Sequence, residues 1–88
     1  MKVAYETAFL RDLKRIRSKR VRRRVQQVIE EVKKASAPHE IAGLSKLRGY
    51  ETFYRIRVGD YRIGLEIVDD TNIFVRCLHR RDIYRYFP

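Results

Sequence analysis

Six arginines in the second half of the chain, Arg55, Arg57, Arg62, Arg76, Arg80 and Arg81, fall in or beside segments that read as β-strands. A guanidinium stays charged at any physiological pH, and its planar fork donates two parallel hydrogen bonds to a phosphate or carboxylate. Strand alternation restricts where these side chains point. Arg55 and Arg57 share one side, and Arg62 lies just past a tight turn on the adjoining strand. Arg76 and Arg80 are an even number of residues apart, so they share a side if the strand runs that far. Tyr54, Ile56, Val58, Ile63, Leu65, Ile73 and Val75 then fill the opposite, core-facing side. A sheet with one apolar and one arginine-lined face has the form of an anion site. The plainer alternative is a solvated sheet surface. Such surfaces usually intersperse Lys and Arg with Thr, Ser and Glu, whereas here only Glu66 dilutes the set.

The elements that carry these residues follow from periodicity. Lys2 to Tyr5 alternates as a short strand. Thr7 is the expected N-cap of a first helix, with Phe9, Leu10, Leu13 and Ile16 on its inner face. Ser18 caps a second helix, whose stripe Val21, Val25, Val28, Ile29 and Val32 recurs at helical spacing over about three turns. The two helices are expected to pair as an antiparallel hairpin. Ser36-Ala37-Pro38-His39 breaks the pattern. Phe53–Val58 and Tyr61–Ile67 alternate around the two-residue turn Gly59-Asp60, and Ile73–Leu78 follows the turn Asp69-Asp70-Thr71. Residues 80–88 are expected to form a helical turn or an irregular tail. The expected fold is α+β: an N-terminal strand, an antiparallel helix pair and a three-stranded antiparallel meander. The helices cover one face of a small, mostly antiparallel sheet. At 88 residues the whole chain, 1–88, is read as one domain.

Charge narrows the partner. The 21 Lys and Arg outnumber the 11 Asp and Glu, a net +10 that calls for a polyanion. Nine cations crowd the helices: Arg11, Lys14, Arg15, Arg17, Lys19, Arg20, Arg22, Arg23 and Arg24. They form either a solvated face or a surface that tracks phosphates, giving affinity without sequence choice. Arg15, Lys19, Arg20 and Arg23 are taken as its RNA-binding members. The single cysteine, Cys77, excludes a disulfide framework and a multi-cysteine metal site. Its register makes it a buried thiol rather than a nucleophile. No metal and no cofactor are expected. No apolar run suits a signal peptide or a membrane span, so a cytoplasmic protein without membrane association is expected.

Three runs then carry a family resemblance: Lys46-Leu47-Arg48-Gly49; Tyr54-Arg55-Ile56-Arg57-Val58-Gly59-Asp60-Tyr61-Arg62-Ile63; and His79-Arg80-Arg81-Asp82-Ile83-Tyr84-Arg85. In order and spacing they resemble the RelE/ParE superfamily of bacterial and archaeal toxins, on its RelE-like branch. The preceding strand and helix pair stand in the family's order, so the resemblance spans essentially the whole chain.

The resemblance implies a toxin that enters the ribosomal A site and cuts the messenger there without a metal. The RNA's own 2′-hydroxyl attacks the adjacent phosphate, leaving a 2′,3′-cyclic phosphate and a free 5′-hydroxyl. It also implies a cognate acidic antitoxin, RelB-like or of another family, that blocks the site. By position, the family's functional residues fall on Arg55, Arg57, Arg62 and Arg80, with the tail aromatic on Tyr84 or Tyr86. Lys46, Arg48, Arg76 and Arg81 join them as RNA-binding residues. Clustered guanidinium groups suit the charge that gathers on the phosphoryl oxygens, and a tyrosine suits stacking on a splayed base.

One departure matters. Some family members carry lysines where this chain has Arg55 and Arg57, and arginine does not act as a proton acceptor. His79 is the first candidate for a general base, with Lys46 and Tyr84 behind it. His79 reads equally as a structural residue at a strand end, and His39 belongs to the loop after Pro38. Two other functions share the fold: a ParE-like inhibitor of DNA gyrase without chemistry of its own, and an inactive relic that binds only RNA or antitoxin.

Overall fold

A computed structural model describes all residues 1–88. Strand β1 (Lys2–Tyr5) leads into helices α1 (Thr7–Arg15) and α2 (Lys19–Lys34). A 3₁₀ turn at Pro38–Glu40 follows, then β2 (Leu44–Lys46), β3 (Phe53–Val58), β4 (Tyr61–Val68), β5 (Thr71–His79) and the single-turn helix α3 (Ile83–Tyr86). The sheet has five strands in the order β1-β5-β4-β3-β2. β1 pairs parallel to β5, and every other pair is antiparallel. No helix is long and apolar enough to cross a membrane.

The expected meander is present as β3, β4 and β5, but the sheet is wider than expected. Leu44, Ser45 and Lys46 add β2 by pairing with Ile56, Arg55 and Tyr54. α1 lies along β5, and α2 reaches β1 and β3. Both helices bury their apolar stripes in one core with the inner face of the sheet. Phe9, Ile16, Val25, Ile29 and Val32 meet Ile56, Val58, Ile63, Leu65, Ile67, Phe74 and Cys77 there. Ser18 caps α2 as expected, its side chain accepting from the Val21 N–H at 3.2 Å. Thr7 does not cap α1. Glu6 holds the cap position without a side-chain bond, and its N–H continues the sheet ladder to the Phe74 carbonyl at 2.9 Å. The strand itself therefore fixes where α1 starts. Leu10, expected in the core, is 46% exposed. Asp12 is buried in α1 instead.

The reason lies at the sheet edge. β1 covers β5 only from Thr71 to Phe74, so the rest of β5 has no strand neighbour on that side. Asp12 fills the gap, with its Oδ2 accepting the Cys77 N–H at 3.0 Å. It also accepts from Arg76, through Nε at 2.7 Å and Nη2 at 3.0 Å. The charge-assisted fork makes a buried carboxylate tolerable. This pair holds the Arg76 pKa up, chiefly through the hydrogen bond to Asp12, against burial that pushes it down. Burial, followed by the Asp12 charge, pushes the Cys77 thiol up to about 12, as suits an unreactive core residue.

A β-bulge corrects the expected faces of β5. The register runs Gly64↔Arg76 and then Leu65↔Phe74, leaving Val75 as the extra residue. Phe74 and Cys77 therefore take the core positions. Val75 turns to the other face, into a second small cluster of Leu47, Ile83 and Phe87 with Phe53 and Leu78. The sheet thus does not divide into one apolar and one arginine-lined face. Part of its outer face is roofed by α3 and the tail. Gly64 permits this roof, because a Cβ there would lie 2.6 Å from the Phe87 ring. Gly64→Ala is expected to lift the tail off the sheet and to lower stability by about 1–3 kcal/mol through overpacking. Thermal unfolding and amide exchange of residues 83–87 check this; unchanged protection of the tail contradicts it.

Candidate functional site: a cationic cleft beside the tail helix

The part of the outer face left open is a cleft of about 540 Å³ lined by Lys46, Leu47, Arg48, Tyr50, Arg55, Tyr84, Phe87 and Pro88. Its size falls within the roughly 300–1,000 Å³ usual for ligand sites. β2 and the following loop supply Lys46 and Arg48, β3 supplies Arg55, and α3 supplies Tyr84. Leu47 and Phe87 are buried at its base, whereas Tyr84 is 59% exposed.

Arg62 anchors the cationic cluster from below. It is buried, and its Nη1 donates to the carbonyls of Gly59 and Tyr61, both at 2.9 Å. Burial is the main cause lowering its pKa, followed by the cations Arg57 and Arg55. Tyr84 acts in the opposite sense, and Arg80 adds a further lowering. Arg55, Arg57, Arg62, Arg80 and Tyr84 thus share one electrostatic neighbourhood. It is nearly uncompensated. The ion pairs of the structure are Lys33–Glu30, Arg76–Asp12 and, at 4.0 Å on the margin, Arg80–Asp60. Glu66, the acid on the outer side of β4, instead accepts from the Thr52 hydroxyl at 2.8 Å. Like charges held together without acids repel one another, and a bound anion relieves the repulsion.

The pairing is regular from Gly64↔Arg76 to Tyr61↔His79, so alternation keeps Arg76 and Arg80 on the same outer side, but only Arg80 belongs to this cluster. Arg76 is clamped between Asp12 and the Tyr86 ring, 5.3 Å from its centroid. Arg80 lies beyond the end of β5, with its N–H bound to the Asp60 carbonyl at 2.7 Å. Tyr84 lines the cleft, and Tyr86 serves Arg76. His79 sits opposite Tyr61, whose ring packs on the helix-side core, with centroids 5.6 Å apart. It therefore projects from the far face of the sheet. There it lines a smaller cleft of about 190 Å³ with Arg15 and Arg81, and its Nδ1 accepts the Arg81 N–H at 3.3 Å. Lys19, Arg20 and Arg23 are exposed on α2. Arg24 reaches from that helix to the Gly59 turn, so the helix cations approach the sheet cations there. His39 is exposed in the 3₁₀ turn, away from both clefts. Sequence reasoning missed Tyr50 and Phe87 as cleft residues. The available signal was an aromatic following Gly49 in an otherwise polar loop.

Fold and cleft together define a small basic α+β protein with an open cationic site on one sheet face. Residues 3–84 match the family model described as the ParE toxin of the type II toxin-antitoxin system parDE. The chain is 44% identical to Toxin RelE3 of Methanocaldococcus jannaschii, over 100% of both chains. It is 30% identical to Putative toxin RelE1 of the same organism, over 83% of this chain and 81% of that one. Its structure matches a chain of a RelB-RelE antitoxin-toxin complex from Methanococcus jannaschii with a TM-score of 0.82 and 41% identity, covering 97% of this chain and 99% of that one. A RelE-RelB complex from Pyrococcus horikoshii OT3 shares the fold, with a TM-score of 0.72, 23% identity and coverage of 90% and 93%. The chain belongs to the RelE/ParE superfamily of toxins from type II toxin-antitoxin systems.

Proposed function

We propose that this chain is a RelE-type endoribonuclease toxin that cuts messenger RNA in the ribosomal A site and so stops translation. The observation that carries this reading is the set of unpaired cations Lys46, Arg48 and Arg55 lining a cleft that Tyr84 borders, with Arg57 and Arg62 beside Arg55 on the same sheet face. In the proposed reaction the 2′-oxygen bonds to the adjacent phosphorus and the bond to the 5′-oxygen breaks. A cyclic phosphate and a 5′-hydroxyl result. Arg55 and Arg57 neutralise the phosphoryl oxygens, with Arg62 and Arg80 behind them, and Tyr84 stacks on a base. The 2′-hydroxyl proton passes to a side chain other than an arginine, and the departing 5′-oxygen takes up a proton from solvent. Lys46 and Tyr84 border the cleft and take precedence over His79, which projects from the other face. Arg15, Lys19, Arg20, Arg23 and Arg81 grip ribosomal RNA outside the cleft.

The partner is a cognate acidic antitoxin whose carboxylates neutralise the same cations. The 44% identical relative and the RelB-RelE complex at 41% identity support this pairing, and the expected compartment is the cytoplasm. A translation reaction read by primer extension tests the nuclease. Codon-linked cuts are expected with the wild type and not with an Arg57→Ala/Arg80→Ala double variant. An intact messenger with both proteins sinks the reading. The family model, which is that of the ParE toxin, favours one alternative: inhibition of DNA gyrase without chemistry by this chain. Plasmid trapped in covalent complex with gyrase on addition of the protein marks that outcome.

A further inference from the structure

We propose that Tyr50 is a second base-stacking platform, forming with Tyr84 a pair of aromatic walls that receive one nucleobase of the A-site codon. The inference rests on the nuclease reading and adds to it a residue that selects the substrate. Tyr50 lines the same cleft as Arg48, Arg55 and Tyr84, yet it comes from a different element, the loop between β2 and β3, whereas Tyr84 comes from α3. It is 47% exposed.

The ring is nevertheless held. It packs edge-on against Phe53, with centroids 5.6 Å apart and planes at 82°. Phe53 packs edge-on against Phe87 at 5.5 Å and 89°. This ladder ends in the cluster that roofs the sheet, so the loop and the tail that carries Tyr84 are fastened to each other. The backbone is fixed as well. Gly49 takes a φ of 86° that favours glycine, and the Tyr50 N–H donates to the Leu47 carbonyl at 3.3 Å. One perpendicular contact leaves at least one flat face of Tyr50 uncovered by Phe53, in keeping with its exposure. Cations lining a cleft together with two aromatics suit a nucleotide better than a free phosphate, because phosphate offers nothing to stack on.

The experiment uses programmed ribosomes carrying messengers whose A-site codon is intact or has an abasic nucleotide at each position in turn. Wild type, Tyr50→Ala and Tyr50→Phe are compared by the toxin concentration giving half-maximal cutting and by the maximal rate. On the intact codon, Tyr50→Ala is expected to raise the half-maximal concentration by about tenfold or more, as lost base stacking does. Tyr50→Phe should behave as wild type. The Tyr50→Ala defect should vanish when one particular codon position is abasic, a pattern that a purely structural role would not produce. Equal cutting by wild type and Tyr50→Ala overturns the platform, as does a defect of the same size at every abasic position. Either result leaves the nuclease reading standing. A wild type that cuts no messenger removes both.

Discussion

Arg55→Ala is expected to slow single-turnover cutting of a ribosome-bound messenger by about 10²- to 10³-fold, the usual loss when one preorganised donor to a developing oxyanion is removed. Arg55 is singled out because it is the arginine of β3 that lines the cleft, held between Ser45 of β2 and Gly64 of β4. Gly64 carries the Phe87 ring above it, so Arg55 has the roofed part of the sheet on one side and the edge strand β2 on the other. Three ordered strands fix its backbone, which makes it a preorganised donor rather than a mobile surface cation. Binding to the ribosome should weaken far less, because many other cations remain. The salt dependence should fall by about one phosphate's share. Arg55→Lys keeps the charge without the fork and should fall between the two. A rate for Arg55→Ala within about threefold of wild type means that the reacting phosphate does not sit in this cleft.

Asp12→Ala is expected to be the most damaging change for stability, although Asp12 lies on the other side of β5 from the cleft. It leaves the Cys77 N–H without its acceptor and Arg76 without its partner. Losing an acceptor from a buried donor and a charge-assisted fork together costs about 3 kcal/mol, discounted because the Arg76 side chain keeps 16% exposure. For a domain of this size that is a fall in Tm of about 12–24 °C. Asp12→Asn retains an acceptor for Cys77 and should lose about half as much. Thermal unfolding followed by circular dichroism decides. If Asp12→Ala unfolds within a few degrees of wild type, the open edge of β5 does not need its cap.

How far the fold could be read in advance depended on local regularity. β3 and β4 alternate without interruption, so Arg55, Arg57 and Arg62 were placed together from spacing alone. β5 does not, because the bulge at Val75 reverses the alternation midway. That one extra residue takes Val75 out of the core, while the regular pairing beyond it leaves Arg76 and Arg80 in the expected phase. β2 was hidden because Ser45 and Lys46 are polar and its three residues show no period; pairing with β3 creates it. The roof was hidden for another reason. Leu47, Phe53, Leu78, Ile83 and Phe87 are scattered in sequence and meet only once the tail folds back. Asp12 reads as one acid in a basic helix, and only the incomplete coverage by β1 gives it a buried partner. His79 was legible as a strand-end residue.

The bulge at Val75 has a consequence for how this strand can vary. Upstream of it, Phe74 packs under the helices; beyond it, Cys77 does the same, three positions later rather than two or four. Between them Val75 and Arg76 both leave the core, one for the roof and one for the tie to Asp12. Removing Val75 alone would restore even alternation with Leu65↔Phe74, Gly64↔Arg76 and Ile63↔Cys77 still paired, so everything that follows keeps its surroundings and only the roof loses a member. The length of β5 is therefore free to change by one residue at this point and at no other. A deletion at Val75 should be absorbed far more readily than one elsewhere in the strand, where every side chain beyond it would change faces.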